Sequence, residues 1–387
     1  MRLSMLTKVL STLILMFAIQ GLGIAQGVTT SSMQGSIEDA NGESLIGANI
    51  LAVHEPSGTT YGTATDIDGN YRIPGMRVGG PYRITISYTG YSEKVYENVF
   101  LRLGESKKLD VMMEESAVSL EAIQVVATAG VTGQNSGAST QITTDEIDAM
   151  PTLNRDINDF LRLTPQATRY GDGISFAGTN NRYNAIYIDG AVNNDVFGLA
   201  SSGTNGGQTG ISPFSIDIID QFQVVLSPYD VTLGGFAGGG VNAVTKSGTN
   251  QFSGTAYYFV QNQDLVGKTN GVLADRLGID RTKVADFSQN LYGASLGGPI
   301  VKDKVFFFVN AEIQDDQTPA PFEVENYTQA DGRASVADLE NLRSFLRETY
   351  NYDPGDFRST SDELKGLKLF GKIDINLNQN HRLTLRH

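Results

Sequence analysis

Few side chains in this sequence belong to the types that carry out covalent chemistry. There is no cysteine, and the only histidines are His54, His381 and His387. The lack of cysteine excludes disulfides, zinc–thiolate sites, a lipoprotein anchor and a cysteine nucleophile. No histidine has the His-x-x-Glu spacing of a zinc ligand pair. We therefore predict a protein that is not an enzyme and needs no cofactor. Paired carboxylates leave a secreted hydrolase with a β-sandwich accessory domain as an alternative.

Asp66 and Asp68 form a weak candidate for a calcium site, because each carboxylate offers oxygen ligands. A complete EF-type loop needs more oxygen ligands and a distal glutamate, which this segment lacks. The same residues fit a turn that is closed by an Asx hydrogen bond. We favour the turn and predict no metal site.

The charge of the chain limits its partners. Acidic residues number 43 and basic residues 29, so that the formal net charge is −14. A protein that binds nucleic acid needs a basic surplus to neutralise phosphates. Nucleic acid is therefore not an expected partner.

The start of the chain has the pattern of a secretory signal peptide over residues 1–25. Arg2 and Lys8 precede the apolar run Val9–Ile19, and the small residues Gly23–Ala25 follow it. The alternative, a transmembrane anchor, would need roughly 20 apolar residues. No later run is long enough to cross a membrane as a helix, so any membrane contact must be made by β-strands.

Residues 33–114 predict a small β-sandwich. Short apolar runs alternate with turn signals such as Asn41-Gly42, Asp68-Gly69 and Thr89-Gly90. In residues 82–88 the apolar side chains alternate with Arg83, Thr85 and Ser87, as in a strand with one buried face. With Gly47-Ala48 and the run 65–71, the region resembles the carboxypeptidase-regulatory-like domain, which commonly precedes outer-membrane receptors of the Bacteroidetes type. The resemblance implies no peptidase activity.

Residues 115–130 predict a linker, within which the β-prone run 123–127 is flanked by small residues. One interpretation is an ordinary edge strand of the next domain. The other is a segment that pairs with the sheet edge of a partner protein by strand addition. TonB-dependent receptors have an energy-coupling box at this place. By that resemblance the TonB-box candidates are Glu121, Ile123, Gln124, Val125, Val126 and Ala127; Gln124 departs from the more usual apolar triplet.

Residues 131–248 predict a mixed α/β domain. Helices are expected at 144–149, at Asp156–Leu163 and from Ser212 to Asp220, and strands at 185–188 and 221–226. The order resembles the plug domain of TonB-dependent receptors, and the Asn-rich segments at 180–184 and 193–195 resemble the Oar-like subgroup. One departure is Ala177-Gly178, where many plugs have Arg-Gly. We expect the glycines of 234–248 to let the last plug strand lie close against a barrel wall.

Residues 249–387 predict strands with two different faces. In 366–377 the apolar residues alternate with Lys368, Lys372 and Asp374, and 305–313 repeat this alternation. One face could meet lipid and the other water, as in outer-membrane barrels; a soluble sandwich is the alternative. The 137 residues after position 250 give five or six strands, whereas a barrel that holds a plug has about 22. We expect an incomplete barrel, and a short helix over 335–350.

These patterns predict a mainly β chain with an N-terminal β-sandwich, an α/β plug domain and the first strands of a truncated transmembrane β-barrel. The resemblance implies an outer-membrane receptor with a periplasmic N-terminal domain, energised by the inner-membrane TonB complex and in contact with outer-membrane lipid. It would take up an extracellular ligand that the sequence does not identify. The alternative is a structural or adhesive outer-membrane protein without transport.

The resemblance also places ligand contacts on the outer face of the plug and on long loops. The candidates are polar or aromatic loop residues beside the 187–190 strand, although ordinary solvated turns would have the same composition. These ligand-facing candidates are Asn180, Asn181, Arg182, Tyr183, Asn193, Asn194, Asp195 and Phe197.

Overall fold

The computed structural model describes most of the chain. The described residues are 28–116, 132–134, 137–150, 152, 155–170, 173–195, 197, 200, 203, 207–228, 233–319, 335–355, 357, 361–378 and 381–387. The predicted signal peptide, residues 1–25, and the TonB-box candidates, residues 121–127, lie outside them. Within the described residues, no helix has both the length and the apolar character needed to cross a membrane.

Residues 31–113 form a β-sandwich of eight strands, as the sequence predicts. One sheet has the order β4-β1-β7, with β8 paired to β1, and the other has the order β3-β2-β5-β6. The strands are β1 (Ser31–Asp39), β2 (Asn49–His54), β3 (Thr59–Ala64), β4 (Asn70–Met76), β5 (Gly79–Ser87), β6 (Lys94–Leu101), β7 (Ser106–Lys108) and β8 (Val111–Met113).

The sandwich buries one face of each sheet. Tyr82, Ile84 and Ile86 of β5 are fully buried, and they pack in one cluster with Met33 and Ile37 of β1. The alternation predicted for β5 is thus confirmed. Burial of large apolar side chains of this kind contributes about 1.5–3 kcal/mol each, which is enough to hold the domain together without disulfides.

The next domain, called here the α/β domain, covers residues 137–245. Its sheet has the order β10-β15-β16-β13-β14, and a separate hairpin is formed by β11 and β12. A short strand, β9 (Thr132–Gln134), precedes it and pairs with β7. The elements are β10 (Gly137–Thr143), α1 (Thr144–Ala149), α2 (Ile157–Leu161), β11 (Ala167–Tyr170), β12 (Gly173–Phe176), β13 (Ala185–Ile188), β14 (Ala191–Val192), β15 (Ile219–Pro228) and β16 (Gly240–Thr245).

Two predicted helices of this domain differ from the structure. Asp156 is the N-cap of α2, accepting from the Asn158 amide, and the helix ends at Leu161. The predicted helix from Ser212 to Asp220 is wrong: only a 3-10 turn, Ile216–Ile218, is helical. Strand β15 already begins at Ile219, which lies opposite Thr245 of β16. Pairing with a neighbouring strand outweighs the local helical signal.

The α/β domain has an apolar core on one side of its sheet. Phe222 of β15 is paired with Ala243 of the neighbouring strand β16. The Phe160 ring of α2 contacts the Phe222 ring edge-on, with 6.2 Å between the ring centroids. Phe308, from a strand described next, is buried in this same cluster, and Phe370 packs against it. The core of the α/β domain is therefore completed by residues from a different sheet.

That second sheet has five strands in sequence order. They are β17 (Ser253–Asn262), β18 (Ser288–Val301), β19 (Val305–Pro319), β20 (Ser361–Asn376) and β21 (Arg382–Arg386); helices α3 (Gly271–Leu277) and α4 (Val336–Tyr350) lie in the two long connections. α4 confirms the predicted helix, with Ser335 as its N-cap. α3 was not predicted, although Asn270 caps its start and Gly278 ends it in the left-handed conformation.

The two faces of this sheet differ, as the sequence predicts. In β19, Phe306, Phe308 and Asn310 are buried, while Val309 and Ile313 on the other face are exposed. In β20, Leu367 and Leu369 are 65% and 68% exposed, whereas Lys372 and Asp374 are buried. A face of exposed aliphatic side chains opposite a face of buried charge is the pattern of a strand between lipid and a polar interior.

The chain forms two compact units by internal contacts. One contains residues 1–253, 296–309 and 370–387, and the other residues 254–295 and 310–369. In the second unit, Glu312 accepts hydrogen bonds from the Tyr257 hydroxyl at 2.5 Å and from Lys368 Nζ at 2.7 Å. Glu312 and Lys368 are both shielded from solvent, and each neutralises the other, as buried charges require.

Candidate functional site

The sheet of the α/β domain has two ends with different chemistry. β13 runs parallel to β16, with Ala185 beside Gly240 and Ile188 beside Ala243. Residues before β13 and β16 therefore lie at one end, and residues after them lie at the other. β14 runs back along β13, so residues after Val192 return to the first end. We call these the loop end and the ion end.

At the loop end, Asn181–Tyr183 form a short 3-10 helix. The Asn180 side chain accepts from the Arg182 amide at 3.0 Å and caps the helix, and Asn181 is buried. The Tyr183 carbonyl accepts from the amides of Ala237 and Gly238, both at 3.0 Å. The glycine-rich segment 234–248 thus holds the end of this helix through backbone hydrogen bonds.

Asn184 connects the loop end to the rest of the domain. Its side-chain oxygen accepts from the Gly239 amide at 3.0 Å, and its amide donates to the Ile174 carbonyl at 2.6 Å. A Cβ atom at Gly239 would lie 2.4 Å from the Phe176 ring. The glycine-rich segment therefore packs mainly against its own domain. The expectation of close packing against a neighbouring wall holds for Gly248, where a Cβ would lie 2.3 Å from the Phe307 carbonyl oxygen.

Residues 193–197 lie beside the same helix. Asn194 accepts from the Ile186 amide at 2.7 Å, and Asp195 accepts from the amides of Phe197 at 3.1 Å and Ala200 at 2.5 Å. Asp195 also donates its amide to the Gly203 carbonyl, and Gly203 lies against the backbone of the 181–182 helix. The two predicted segments are thus neighbours in the fold.

The eight ligand-facing candidates divide into two groups. The side chains of Asn180, Asn194 and Asp195 hold backbone amides, and Asn181 is buried; Asn193 is half-buried beside them. Four members are exposed. Asn180 is one of them, but its side chain caps the helix. The other three are a cation and two aromatic rings: Arg182, Tyr183 at 60% exposure and Phe197 at 84%. These three form the candidate ligand surface, and the others give it a fixed shape.

At the ion end, Asp189 is the centre of a buried hydrogen-bond network. Its carboxylate accepts from the Thr245 amide at 2.8 Å, from the Thr245 hydroxyl at 2.6 Å and from Arg386 Nη1 at 3.0 Å. Lys372 Nζ donates to the carbonyl and the hydroxyl of Thr245, both at 3.0 Å. β20 and β21 are thereby attached to the last strand of the α/β domain.

Further charges surround this network. Asp374 pairs with Arg77 of the sandwich at 3.3 Å, and Lys246 pairs with Asp217 at 3.7 Å. Burial raises the pKa of Asp220, against the opposing effect of the Thr144 hydroxyl and nearby cations. The ion cluster, as we use the term, consists of four anions and four cations: Asp189, Asp217, Asp220, Asp374, Arg77, Lys246, Lys372 and Arg386.

Sequence reasoning missed the ion cluster. Asp189 was assigned only to a strand-to-turn motif, and its left-handed backbone, with φ of 45°, agrees with a turn. Its partner Arg386 lies 197 residues away in sequence, so no local spacing reveals the pair. The one available signal was charge on the inward face of β20, where Lys372 and Asp374 interrupt an apolar strand.

Two patterns suggestive of chemistry have structural roles. The Asp66 carboxylate accepts from the amides of Asp68 and Asn70, which is the Asx turn favoured by the sequence. Residues 293–297 match Gly-x-Ser-x-Gly, but they lie inside β18, and the Ser295 hydroxyl bonds the Thr255 hydroxyl at 2.6 Å. A nucleophile elbow needs a strand-to-helix turn. Across the described residues, no three acidic or histidine groups converge to hold a metal ion.

Comparison with protein families identifies three domains. Residues 32–114 match the carboxypeptidase regulatory-like domain, residues 132–241 the TonB-dependent receptor plug domain and residues 244–361 an outer membrane beta barrel domain. The resemblance inferred from the sequence is confirmed for each. By their descriptions, the second and third matches are to domains of TonB-dependent receptors and of outer-membrane barrels.

A curated relative extends the match over nearly the whole chain. TonB-dependent transporter Oar of Myxococcus xanthus is 25% identical over 378 residues, covering 94% of this chain and 34% of the relative. Among solved structures, the outer membrane transporter YddB from Escherichia coli is 18% identical, with a TM-score of 0.45 over 64% of this chain and 32% of that protein. The siderophore receptor PirA from Acinetobacter baumannii is 17% identical, with a TM-score of 0.41 over 64% and 30%.

Proposed function

We propose that this chain, which joins a carboxypeptidase regulatory-like domain, a TonB-dependent receptor plug and outer-membrane barrel strands, is part of an outer-membrane TonB-dependent transporter. The α/β domain is the plug, and the five-stranded sheet is part of the barrel wall. Ligand passes through the barrel when the plug moves, and the protein itself carries out no covalent chemistry.

The inner face of the wall is the observation that carries this proposal. Phe308 and Phe370 complete the apolar core of the plug, and Lys372 binds its last strand. On the opposite face of β20, Leu367 and Leu369 are exposed. A wall that is apolar outside and fitted to a plug inside is suited to a membrane barrel with an occupied lumen.

The orientation follows from the connections between wall strands. Short turns join β18 to β19 and β20 to β21, whereas long connections join β17 to β18 and β19 to β20. Outer-membrane barrels have short periplasmic turns and long extracellular loops. We place the ion end and the sandwich on the periplasmic side, and the loop end on the extracellular side.

Residues 121–127 are the proposed coupling segment. In the sequence they come between the last sandwich strand and β9, and their β-prone composition is suited to strand addition. The outer membrane has no ATP, so the work of moving the plug must come from a partner that pulls on this segment. We propose the TonB complex of the inner membrane as that partner.

Deletion of residues 121–127 from the full-length receptor is expected to abolish binding of the purified periplasmic domain of TonB. Binding is measured by co-purification from outer membranes, and retained heat-modifiability shows that the barrel has folded. A seven-residue deletion within residues 320–334 is the matched control and should leave binding unchanged. Wild-type binding by the first deletion would contradict the coupling segment and favour the structural or adhesive alternative.

The candidate ligand surface determines what is captured. Arg182 offers five donors to an anionic group, and Tyr183 and Phe197 offer flat apolar area. We propose a ligand that combines an anionic group with apolar or ring surface.

The triple variant Arg182→Ala, Tyr183→Ala, Phe197→Ala is expected to retain at least about tenfold less of such a ligand, since contacts of this kind contribute about 1 kcal/mol or more each. Full-length receptor is equilibrated with spent growth medium, and the retained compounds are compared by mass spectrometry. Phe100→Ala, at an exposed aromatic residue of the sandwich, is the control. Equal retention by the triple variant and the control would contradict the assignment.

A further inference from the structure

The sandwich makes direct contacts with the plug and the wall at the ion end. The Asn250 amide donates to the Pro56 carbonyl at 2.8 Å, and Asn376 Nδ2 donates to the Thr59 hydroxyl at 3.2 Å. Both Asn250 and Asn376 also bind Asp303 in the turn between β18 and β19. One edge of the sandwich is therefore bonded to the segment before β17 and to the last residue of β20.

The residues at this edge of the sandwich are hydrogen-bonded to one another. The His54 ring bonds the Ser57 hydroxyl at 2.7 Å, which bonds the Thr59 hydroxyl at 2.8 Å. Burial, with a contribution from the nearby guanidinium groups of Arg77 and Arg382, lowers the pKa of His54 to about 3. His54 therefore stays neutral at physiological pH.

The sandwich also covers part of the plug sheet. Leu103 donates its amide to Gln221 Oε1 at 3.2 Å and accepts from Gln141 Nε2 at 2.9 Å. Leu103 is fully buried, yet it is outside the apolar cluster of its own domain. Gly104 lies against the Gln223 amide, where a Cβ would come within 2.7 Å of Oε1. The loop 101–104 therefore lies on the polar face of the plug sheet.

Arg77 places a charge of the sandwich within the ion cluster. Both backbone groups of Arg77 are hydrogen-bonded within the sandwich. Its amide donates to the Tyr61 hydroxyl at 3.1 Å, and its carbonyl accepts from the Tyr82 hydroxyl at 2.7 Å. Its guanidinium pairs with Asp374 of the wall, and the two side chains are only 12% and 4% exposed. Without Arg77, the buried Asp374 carboxylate would lose its ion pair with this guanidinium, which is costly in a poorly hydrated site.

We propose that the sandwich is a latch, docked across the plug and the wall at the ion end, and that Arg77 locks it. While the latch is docked, the plug's last strand, the wall and the sandwich share one charge-balanced cluster. Movement of the plug then requires the sandwich to undock first, or to move with it. The latch rests on the proposed function for its physiological purpose, whereas docking and locking are properties of the resting receptor.

The latch is tested by a cysteine pair at two residues in contact, Thr59→Cys and Asn376→Cys. The sequence described here has no cysteine of its own. With any cysteine elsewhere in the full-length receptor replaced by serine, the pair can be oxidised selectively in outer membranes. Docking predicts rapid cross-linking in this background. Adding Arg77→Glu should slow cross-linking at least about tenfold, because loss of a buried ion pair strongly destabilises its surroundings.

The matched control is Arg83→Glu. Arg83 is also an arginine of the sandwich, but it is 52% exposed, and its ion pairs among the described residues are with Glu55 and Glu97 of the same domain. It should leave the cross-linking rate unchanged. The charge exchange Arg77→Glu with Asp374→Arg should recover most of the rate. Heat-modifiability of every variant confirms that the barrel has folded.

A second measurement tests locking. Trypsin digestion of the plug should begin at a higher urea concentration when the cross-link is oxidised. It should begin at a lower urea concentration in Arg77→Glu without the cysteine pair. The latch is overturned if Arg77→Glu cross-links as fast as the cysteine pair alone, or if Arg83→Glu slows the reaction equally. It is also overturned if neither the oxidised cross-link nor Arg77→Glu alters plug digestion. None of these measurements uses transport or TonB, so failure of the proposed function would be seen separately, in the deletion of residues 121–127.

Discussion

Phe308→Ala is expected to loosen the plug without preventing assembly of the barrel. The Phe308 ring comes from the wall strand β19, but it is buried in the apolar core of the plug and packs on Phe370 at 6.2 Å. Removing a buried phenylalanine ring costs about 3–5 kcal/mol. In the full-length receptor, the urea midpoint for trypsin digestion of the plug should fall by at least about 1 M.

The adjacent residue provides the control for this prediction. Phe307 has the same side chain on the same strand, but it points to the opposite face, is half-buried and contacts Phe252 at 6.3 Å. Phe307→Ala should leave the midpoint for plug digestion nearly unchanged. If both variants shift the midpoint equally, then Phe308 does not contribute to the plug core and the inner-face assignment of β19 fails.

Asp189→Ala, at the ion end of the plug, is expected to have an effect of similar size. It removes the acceptor of three hydrogen bonds and leaves Arg386 without its carboxylate partner. Breaking a largely buried ion pair costs about 3–5 kcal/mol. The plug should then release at lower urea, which can be measured as the onset of open-channel conductance for the receptor in planar bilayers.

Asp189→Asn distinguishes the contribution of the carboxylate charge from that of the side-chain shape. Asparagine has nearly the same shape, accepts hydrogen bonds through one oxygen and tolerates the left-handed backbone at this position. It should therefore cost less than alanine, about 1–2 kcal/mol. Arg386→Met, which removes the cation instead, should also lower the onset. An onset that does not change in Asp189→Ala would mean that the ion cluster does not hold the plug in place.

Much of the fold was predictable because burial imposes a period on the sequence. In β5 and β20 the alternation of side chains identifies the strand and its inward face without knowledge of any neighbour. Turn signals and the N-cap at Ser335 are similarly local. The error at Ser212–Asp220 arose where a local helical signal competed with a distant pairing, that of Ile219 with Thr245.

The candidate ligand surface shows where such reasoning ends. Sequence placed eight residues at the outer face, and the structure brings both segments together at the loop end. The eight residues are not equivalent in the structure, because the side chains of Asn194 and Asp195 accept hydrogen bonds from backbone amides. A polar residue in a loop has the same appearance in the sequence whether it faces a ligand or holds a turn.

The sequence by itself determined the kind and order of most elements and the inward faces of β19 and β20, since these depend on periods of a few residues. Only the tertiary structure decided which inward groups meet. Arg77, Asp189, Asp374 and Arg386 come from three parts of the chain, and a pair such as Asp189 and Arg386 is separated by 197 residues. Electrostatic attraction depends on distance in space and on exclusion of water, and neither can be read from separation along the chain.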